Sequence, residues 1–392
     1  MNVALYYPWV YLTSGAERTI LELTGRSRHC WTVFTNRFEP ENTFPGFADR
    51  DVVELPSVSV KRSIGSVARA GWRIVTQRLP MERYDALVVV CEGLGDCVVF
   101  RNSQRPVVCI CLTPLRIAFD PHYRRRYMRE RGWLTRWMVA AGSVPFRWMD
   151  RMAWRRYARV FCISEEVKRR CLRGRLAPES RMEVNYVGLG FEPESPSYRF
   201  GDYFLLPGRI MWTKNIELGI AAFQRFRSLD PDFRRFRLIV AGIVDEKSRP
   251  YLARLEALAG ADSNIEFRIH PSDAELAELY DEAYTVLFTA FNEDWGMVPL
   301  EGMSFGKPAI VTDRGGPCES VQHGVQGFRE EPEPEAFARR MAELAADPET
   351  ARKMGRAGRD HVKLFSWDRF AQRIDEGLEA ACAWDRLSSR SN

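Results

Sequence analysis

Val286-Leu287-Phe288-Thr289-Ala290-Phe291-Asn292-Glu293-Asp294-Trp295-Gly296-Met297-Val298-Pro299-Leu300-Glu301-Gly302-Met303 changes character twice within eighteen residues. Val286 to Thr289 is a short apolar run of the kind that forms a strand buried on both faces of a parallel sheet. Asn292 to Gly296 reads as a turn, and Pro299 stands in the first turn of a helix, where its missing N–H has no partner to lose. Strand, turn and helix make one βα unit. The same alternation surrounds it. Tyr203 to Leu206, Arg237 to Ala241, Ile265 to Ile269 and Ala309 to Thr312 read as further strands, separated by helical stretches such as 214–229 and 273–283. Upstream, Val3 to Tyr7, Ala86 to Val90, Val107 to Leu112 and Val160 to Ile163 repeat the pattern.

Between the two series, residues 188–202 are rich in Gly, Pro and Ser and read as a linker. The expected fold class is therefore α/β. Two doubly wound Rossmann-like domains, 1–190 and 200–392, would face each other across a cleft, and the chemistry should lie in the loops after their strands. Trp367 to Ala383 carries Phe370, Ile374, Leu378 and Ala381 near helical spacing. This terminal amphipathic helix should pack on one of the domains, and packing back on the first would tie the two together.

Bulk properties fit that organisation. The 392 residues are about twice the usual length of one domain. With 45% hydrophobic and 28% charged residues, collagen-like and disordered classes are excluded. A formal net charge of +5 is too small to demand a nucleic-acid partner. The start of the chain shows no basic leader or cleavage pattern, and no long uncharged apolar run occurs, so a cytoplasmic protein without a membrane span is expected. Nine cysteines with no C-x-x-C argue for reduced thiols and against a zinc ribbon.

Three loops carry residues suited to chemistry. In the first, Ser14-Gly15-Ala16-Glu17 fits a helix capping box, while Gly15 also allows backbone N–H groups to approach a phosphate at the positive end of the helix. In the second, Arg209 and Lys214 leave the strand Tyr203 to Leu206, and could clamp a diphosphate or simply be solvated cations. In the third, Glu293 lies in the loop and Glu301 two turns into the helix, so the carboxylates can reach different parts of one ligand. Gly296, Met297 and Val298 offer N–H groups between them, suited to an anion or a leaving oxygen. Asp230-Pro231-Asp232 has the spacing of a metal-binding Asp-x-Asp but reads as a turn, and no metal is expected there.

Residues 116–159 hold 12 Arg against three acids, Asp120, Glu130 and Asp150. Arg116, Arg124 and Arg125, with interleaved Trp133, Trp137, Trp148 and Trp154, suggest a surface for anionic lipid headgroups or a lipid-diphosphate acceptor. A packed helix with its arginines in water explains the same residues. No nucleic-acid-binding fold accompanies them.

Residues 291–321, continuing through Gly315-Gly316-Pro317-Cys318-Glu319-Ser320, resemble the nucleotide-sugar site of retaining glycosyltransferases of family 4, with a Glu-x7-Glu motif and a GT-B fold. Ser14-Gly15-Ala16-Glu17-Arg18 is similar to the family's glycine-rich loop, with Ser14 in place of its first glycine. Thr113-Pro114-Leu115-Arg116 and Trp148-Met149-Asp150-Arg151 are similar to segments of its mannosyltransferase-like branch. The resemblance implies that Glu301 holds the donor ribose and Glu293 the transferred hexose, while Arg209 and Lys214 neutralise the departing diphosphate. It implies no cofactor and no metal, and a nucleotide-sugar co-substrate with GDP-mannose leading and a UDP-hexose as the alternative. For the acceptor, a lipid-linked glycan intermediate of surface polysaccharide assembly, met at the inner face of the membrane, is the first expectation and a small metabolite the second. Leu112 departs from the branch, which commonly has histidine there. Leucine offers neither proton nor hydrogen bond, so a non-catalytic sugar-nucleotide-binding protein is the other reading. His122 reads as a surface residue.

Overall fold

The computed structural model describes residues 1–58, 64–129 and 131–390. Glu130 of the basic stretch lies outside them. The chain divides between Gly188 and Leu189 into two units, with residues from Phe365 onward falling in the first.

The first unit is built on seven parallel strands: β1 (Asn2–Tyr6), β2 (Cys30–Thr35), β3 (Asp51–Glu54), β4 (Ala86–Cys91), β5 (Val107–Cys111), β6 (Tyr157–Cys162) and β7 (Met182–Val184), in the order β3-β2-β1-β4-β5-β6-β7. Central β4 and β5 are buried along their whole lengths, as their unbroken apolar runs require. The terminal helix Trp367–Arg390 packs on the helix Gly15–Arg26 and on β5 and β6. Phe370, Ile374 and Leu378 are fully buried, and Gly377 lies so close to Phe161 that a Cβ would fall 2.3 Å from its ring. Chain order had put this helix at the end of the second domain. Its apolar stripe finds its partner surface on the first.

The second unit has six parallel strands: β8 (Tyr203–Pro207), β9 (Arg237–Gly242), β10 (Ile265–Ile269), β11 (Thr285–Phe288), β12 (Ala309–Thr312) and β13 (Gly327–Glu330), in the order β10-β9-β8-β11-β12-β13. Aromatic rings fill one side, with Phe204 edge-on to Phe226 at 5.1 Å and Phe236 edge-on to Tyr284 at 5.2 Å.

Strands β2, β3, β7 and β13 escaped the sequence reading. β3 and β13 alternate with charge at the sheet edges, β7 is three residues long, and β2 is diluted by two threonines. In both sheets the strand order reverses beside the first strand, between β1 and β4 and between β8 and β11. Ligands of doubly wound sheets sit beyond the carboxyl ends at such a reversal.

Candidate functional site

In the second unit the loops at the reversal are those after β8 and β11, and the backbone stitches them together. Phe291 N donates to Thr213 O at 2.8 Å, and Thr289 Oγ1 donates to Lys214 O at 2.8 Å. The β8 loop turns at Gly208, whose φ of +132° suits glycine. It then passes so near β9 that a Cβ on Gly242 would lie 1.8 Å from Gly208 O.

This stitching joins two of the expected residues. Lys214 Nζ donates to Glu293 Oε2 at 2.9 Å, with both side chains about one-fifth exposed. The ammonium also lies 5.4 Å from the centre of the Phe288 ring. An ammonium has three N–H donors, so this ion pair leaves capacity for a phosphate oxygen. Arg209 and Lys214 line one small cavity with Leu206, Leu287 and Thr289. Arg209 is half-exposed and its nearest acid, Asp245, is 3.8 Å away, a weak surface pair that leaves the guanidinium able to turn.

Gly315 and Gly316 fix the backbone at Glu293. Gly316 N donates to Glu293 O at 2.9 Å, and a Cβ on Gly315 would fall 2.5 Å from the same oxygen. Only glycines allow so close an approach. Gly296, at φ +91°, then caps the helix Met297–Ser304. Met297 and Val298 open that helix, where unsatisfied N–H groups and the helix dipole favour negative charge. In its second turn Glu301 Oε2 accepts a 2.7 Å hydrogen bond from the Tyr280 hydroxyl. Tyr280 is buried, and burial beside the Glu301 charge holds its hydroxyl protonated far above the usual range. Its hydroxyl therefore acts as a fixed donor.

In the first unit Ser14 caps the helix Gly15–Arg26, accepting from Ala16 N. The capping box takes a different form from the expected one. Glu17 accepts from the Ser14 hydroxyl and from Leu12 N, bracing the preceding loop instead of the cap's own N–H. Burial raises its carboxyl pKa. Gly15 is exposed at the start of this helix, in the loop after β1.

Leu112 is buried after β5, and the neighbouring Thr113 Oγ1 accepts from Arg170 at 2.9 Å. Arg170 is fully buried, 3.6 Å from Asp120 and 3.5 Å from Glu166. Sequence reading missed it, although a cation three residues after Val167 and one before Cys171 sits on a helix's apolar face. It missed Tyr280 as well, since a tyrosine 21 residues before Glu301 carries no local pattern.

The basic stretch divides. Arg116 pairs with Asp120 at 3.1 Å and lies over the Tyr123 ring, so it stabilises a turn and does not join an exposed basic face. Trp154 is core, edge-on to Tyr157. Arg125, His122, Trp133, Trp137 and Trp148 are exposed and Arg124 is partly so. Asp230 accepts from Asp232 N and caps a short turn, as its surroundings implied. Among the described residues no helix is long and apolar enough to cross a membrane.

Residues 194–361, covering this site, match the family described as "Glycosyl transferases group 1". The chain is 31% identical over 190 residues to Alpha-1,3/1,6-mannosyltransferase ALG2 of Rhizomucor pusillus, covering 41% of this chain and 42% of that protein. It is 29% identical over 195 residues to D-inositol 3-phosphate glycosyltransferase of Streptomyces griseus, covering 48% and 41%. The chain thus spans about two-fifths of the length of these curated relatives. Across 97% of the chain its fold is similar to all of Anabaena Alr3699/HepE, solved in complex with UDP, with a TM-score of 0.72 at 19% identity. The likeness shows a GT-B fold.

Proposed function

We propose that this protein is a retaining glycosyltransferase that moves a hexose from a nucleoside diphosphate to an acceptor hydroxyl, with GDP-mannose as donor and a lipid-linked glycan as acceptor. The observation that carries the reading is the Lys214–Glu293 pair, held where the sheet order of the second unit reverses. Breaking a glycosyl–phosphate bond builds negative charge on the diphosphate while the sugar becomes oxocarbenium-like. Lys214 and Arg209 meet the first charge, together with the N–H groups of Met297 and Val298. Glu293, tethered by Lys214, stands for the second. Such fixed groups lower the barrier because no solvent has to reorganise as the charge develops. Glu301, oriented by Tyr280, binds the ribose hydroxyls. The first unit, which carries Gly15 at a helix start, serves the acceptor side. Same-face attack, with the leaving phosphate taking the acceptor proton, gives retention without an enzyme nucleophile and asks no metal of these residues.

The donor rests on the similarity to ALG2. A UDP-hexose is the second reading, favoured by HepE, also solved with UDP-glucose. A thermal-shift panel of GDP, UDP, GDP-mannose and UDP-glucose decides, since a ligand at a hundred times its Kd adds about 2.7 kcal/mol to stability. Shifts with GDP and GDP-mannose alone are expected. A shift with the uridine pair replaces the donor, and no shift with any of the four overturns the reading.

A further inference from the structure

Strands β4 and β5 pair with Val89 opposite Cys109 and Cys91 opposite Cys111. Side chains alternate along a strand, so Cys91 and Cys109 share a face as diagonal neighbours. The turn after β4 returns Asp96 to that face, where Asp96 Oδ2 accepts from the Cys91 thiol at 2.9 Å and Oδ1 accepts from the Tyr157 hydroxyl. Sγ of Cys91, Sγ of Cys109 and a carboxylate oxygen of Asp96 all lie within 4.8 Å of one another. All three residues are fully buried.

A second observation comes from another element. Asp150, on the helix Trp133–Trp154, is 0% exposed, and neither of its carboxylate oxygens closes a well-formed hydrogen bond. The Trp154 indole N–H, one turn on, faces it as a donor but is too poorly placed to satisfy it. Asp150 is near enough that its charge acts on Asp96 and Cys97 and feels that of Cys91. An unpartnered carboxyl group is costly to bury, and a cation among these groups would satisfy it.

We propose that Cys91, Cys109 and Asp96 bind a thiophilic divalent cation, Zn²⁺ in the first instance, within the core of the first unit, with a water oriented by Asp150 as the fourth ligand. Zinc bonds of about 2.3 Å to sulfur and about 2.1 Å to oxygen set tetrahedral ligands about 3.5–3.8 Å apart, within the observed spread. Two thiolates and the Asp96 carboxylate exceed the dication by a single negative charge, which the Tyr157 hydroxyl partly offsets; Asp150 adds none, because burial holds its carboxyl protonated. Binding releases both thiol protons to solvent. The ion would pin the turn after β4 to β5 and to the helix Trp133–Trp154. This role is structural and independent of the transfer chemistry, so it stands or falls apart from the proposed function.

The test uses the full chain with Cys30→Ser and Cys318→Ser, which remove the thiols that are not buried. Refolded with Co²⁺ and freed of excess metal, it should hold one cobalt per chain. The spectrum should show thiolate-to-cobalt charge transfer and the visible bands of tetrahedral cobalt. Cys109→Ser should weaken binding at least tenfold, and Cys97→Ala should leave it unchanged. Should Cys109→Ser fail to fold, the metal content of the unsubstituted chain, refolded with Zn²⁺ and measured by plasma mass spectrometry, decides instead. Less than a tenth of an equivalent there overturns the proposal, as does a cobalt spectrum indifferent to both Cys91→Ser and Cys109→Ser.

Discussion

Lys214 and Glu293, 79 residues apart in sequence, form a 2.9 Å ion pair across the loops after β8 and β11. The pair sets where one positive and one negative charge stand before any ligand arrives. Lys214→Ala removes the cation proposed to meet the growing diphosphate charge and also frees Glu293. It should lower kcat by about 10²–10³-fold, the cost typical of losing one preorganised stabiliser. KM should move far less, because the charge grows mainly in the transition state. Nucleoside diphosphate release under saturating donor measures it, and a change confined to KM would remove Lys214 from the chemistry.

Glu301 and Tyr280 make a separable case. Glu301→Ala takes away the proposed ribose ligand and leaves the buried Tyr280 hydroxyl without its 2.7 Å acceptor. Nucleotide affinity should fall, and stability should drop by about 1–3 kcal/mol for the orphaned hydroxyl. Adding Tyr280→Phe removes the orphan. The double variant should recover stability in urea melts while nucleotide binding stays weak. Recovery of both would mean that Glu301 acts only as a structural acceptor.

Leu112 tests the departure from the histidine that the mannosyltransferase-like branch commonly carries. It is buried directly after β5, its N–H held by Cys91 O at 3.3 Å. Leu112→His places a polar ring in that apolar position, at a cost of about 1–3 kcal/mol where no partner is met. The expected result is a lower melting temperature and no gain in turnover. A rise in kcat would show that the missing imidazole limits the reaction.

Legibility in the sequence followed burial. Runs such as Ala86 to Val90 could be read as strands because both faces are covered, whereas Asp51–Glu54 and Gly327–Glu330 show their partial exposure as interrupting charge. The Glu293–Glu301 segment was legible because turn, glycine and proline are local signals. Its partners were not. Tyr280, Phe288 and the approach of Gly315 to Glu293 are set by strand order, which no local spacing records. Arg116 misled for a different reason, since its charge is taken up by Asp120 one turn away, a local i,i+4 pair that a count of charges passes over.

Lys307 links the second unit's stability to alkaline pH. It is fully buried, its Nζ donating to Arg199 O and lying 4.7 Å from the Phe200 ring, with Asp281 and Glu282 as the facing charges. Burial brings its pKa down to about 8 from 10.5. Between those values the unfolded chain binds the extra proton, so stability from this group is complete above the unfolded pKa and is lost as pH falls through about 8. Relative to Lys307→Met, the wild type should gain on the order of 2–3 kcal/mol from pH 8 to 10.5. Urea melts at the two pH values measure the difference, and parallel curves would show that Lys307 is charged and satisfied in the fold.

The exposed tryptophans form a pattern that a solvated helix does not need. Trp133, Trp137, Val144 and Trp148 follow steps of four, seven and four, which keep to one face of the helix Trp133–Trp154, and Trp133 is 78% exposed. The helix Ile64–Thr76 packs on the same turn, Leu94–Phe100, and presents Trp72 at 72% exposure. Arg124 and Arg125 stand in the preceding helix Pro121–Arg129. Indoles with arginines suit the interface of an anionic bilayer, where each arginine contributes about 1 kcal/mol, a factor of about five in partitioning. The chain should therefore sediment with phosphatidylglycerol vesicles more than with phosphatidylcholine vesicles. Arg124→Gln with Arg125→Gln should lower that binding about twenty-five-fold and reduce its salt dependence. Trp133→Ala with Trp137→Ala should weaken binding to both lipids, while thermal shifts with nucleotide stay unchanged because the donor loops belong to the other unit. Sedimentation indifferent to lipid charge and to all four substitutions would leave this helix a solvated one and make the acceptor a soluble molecule.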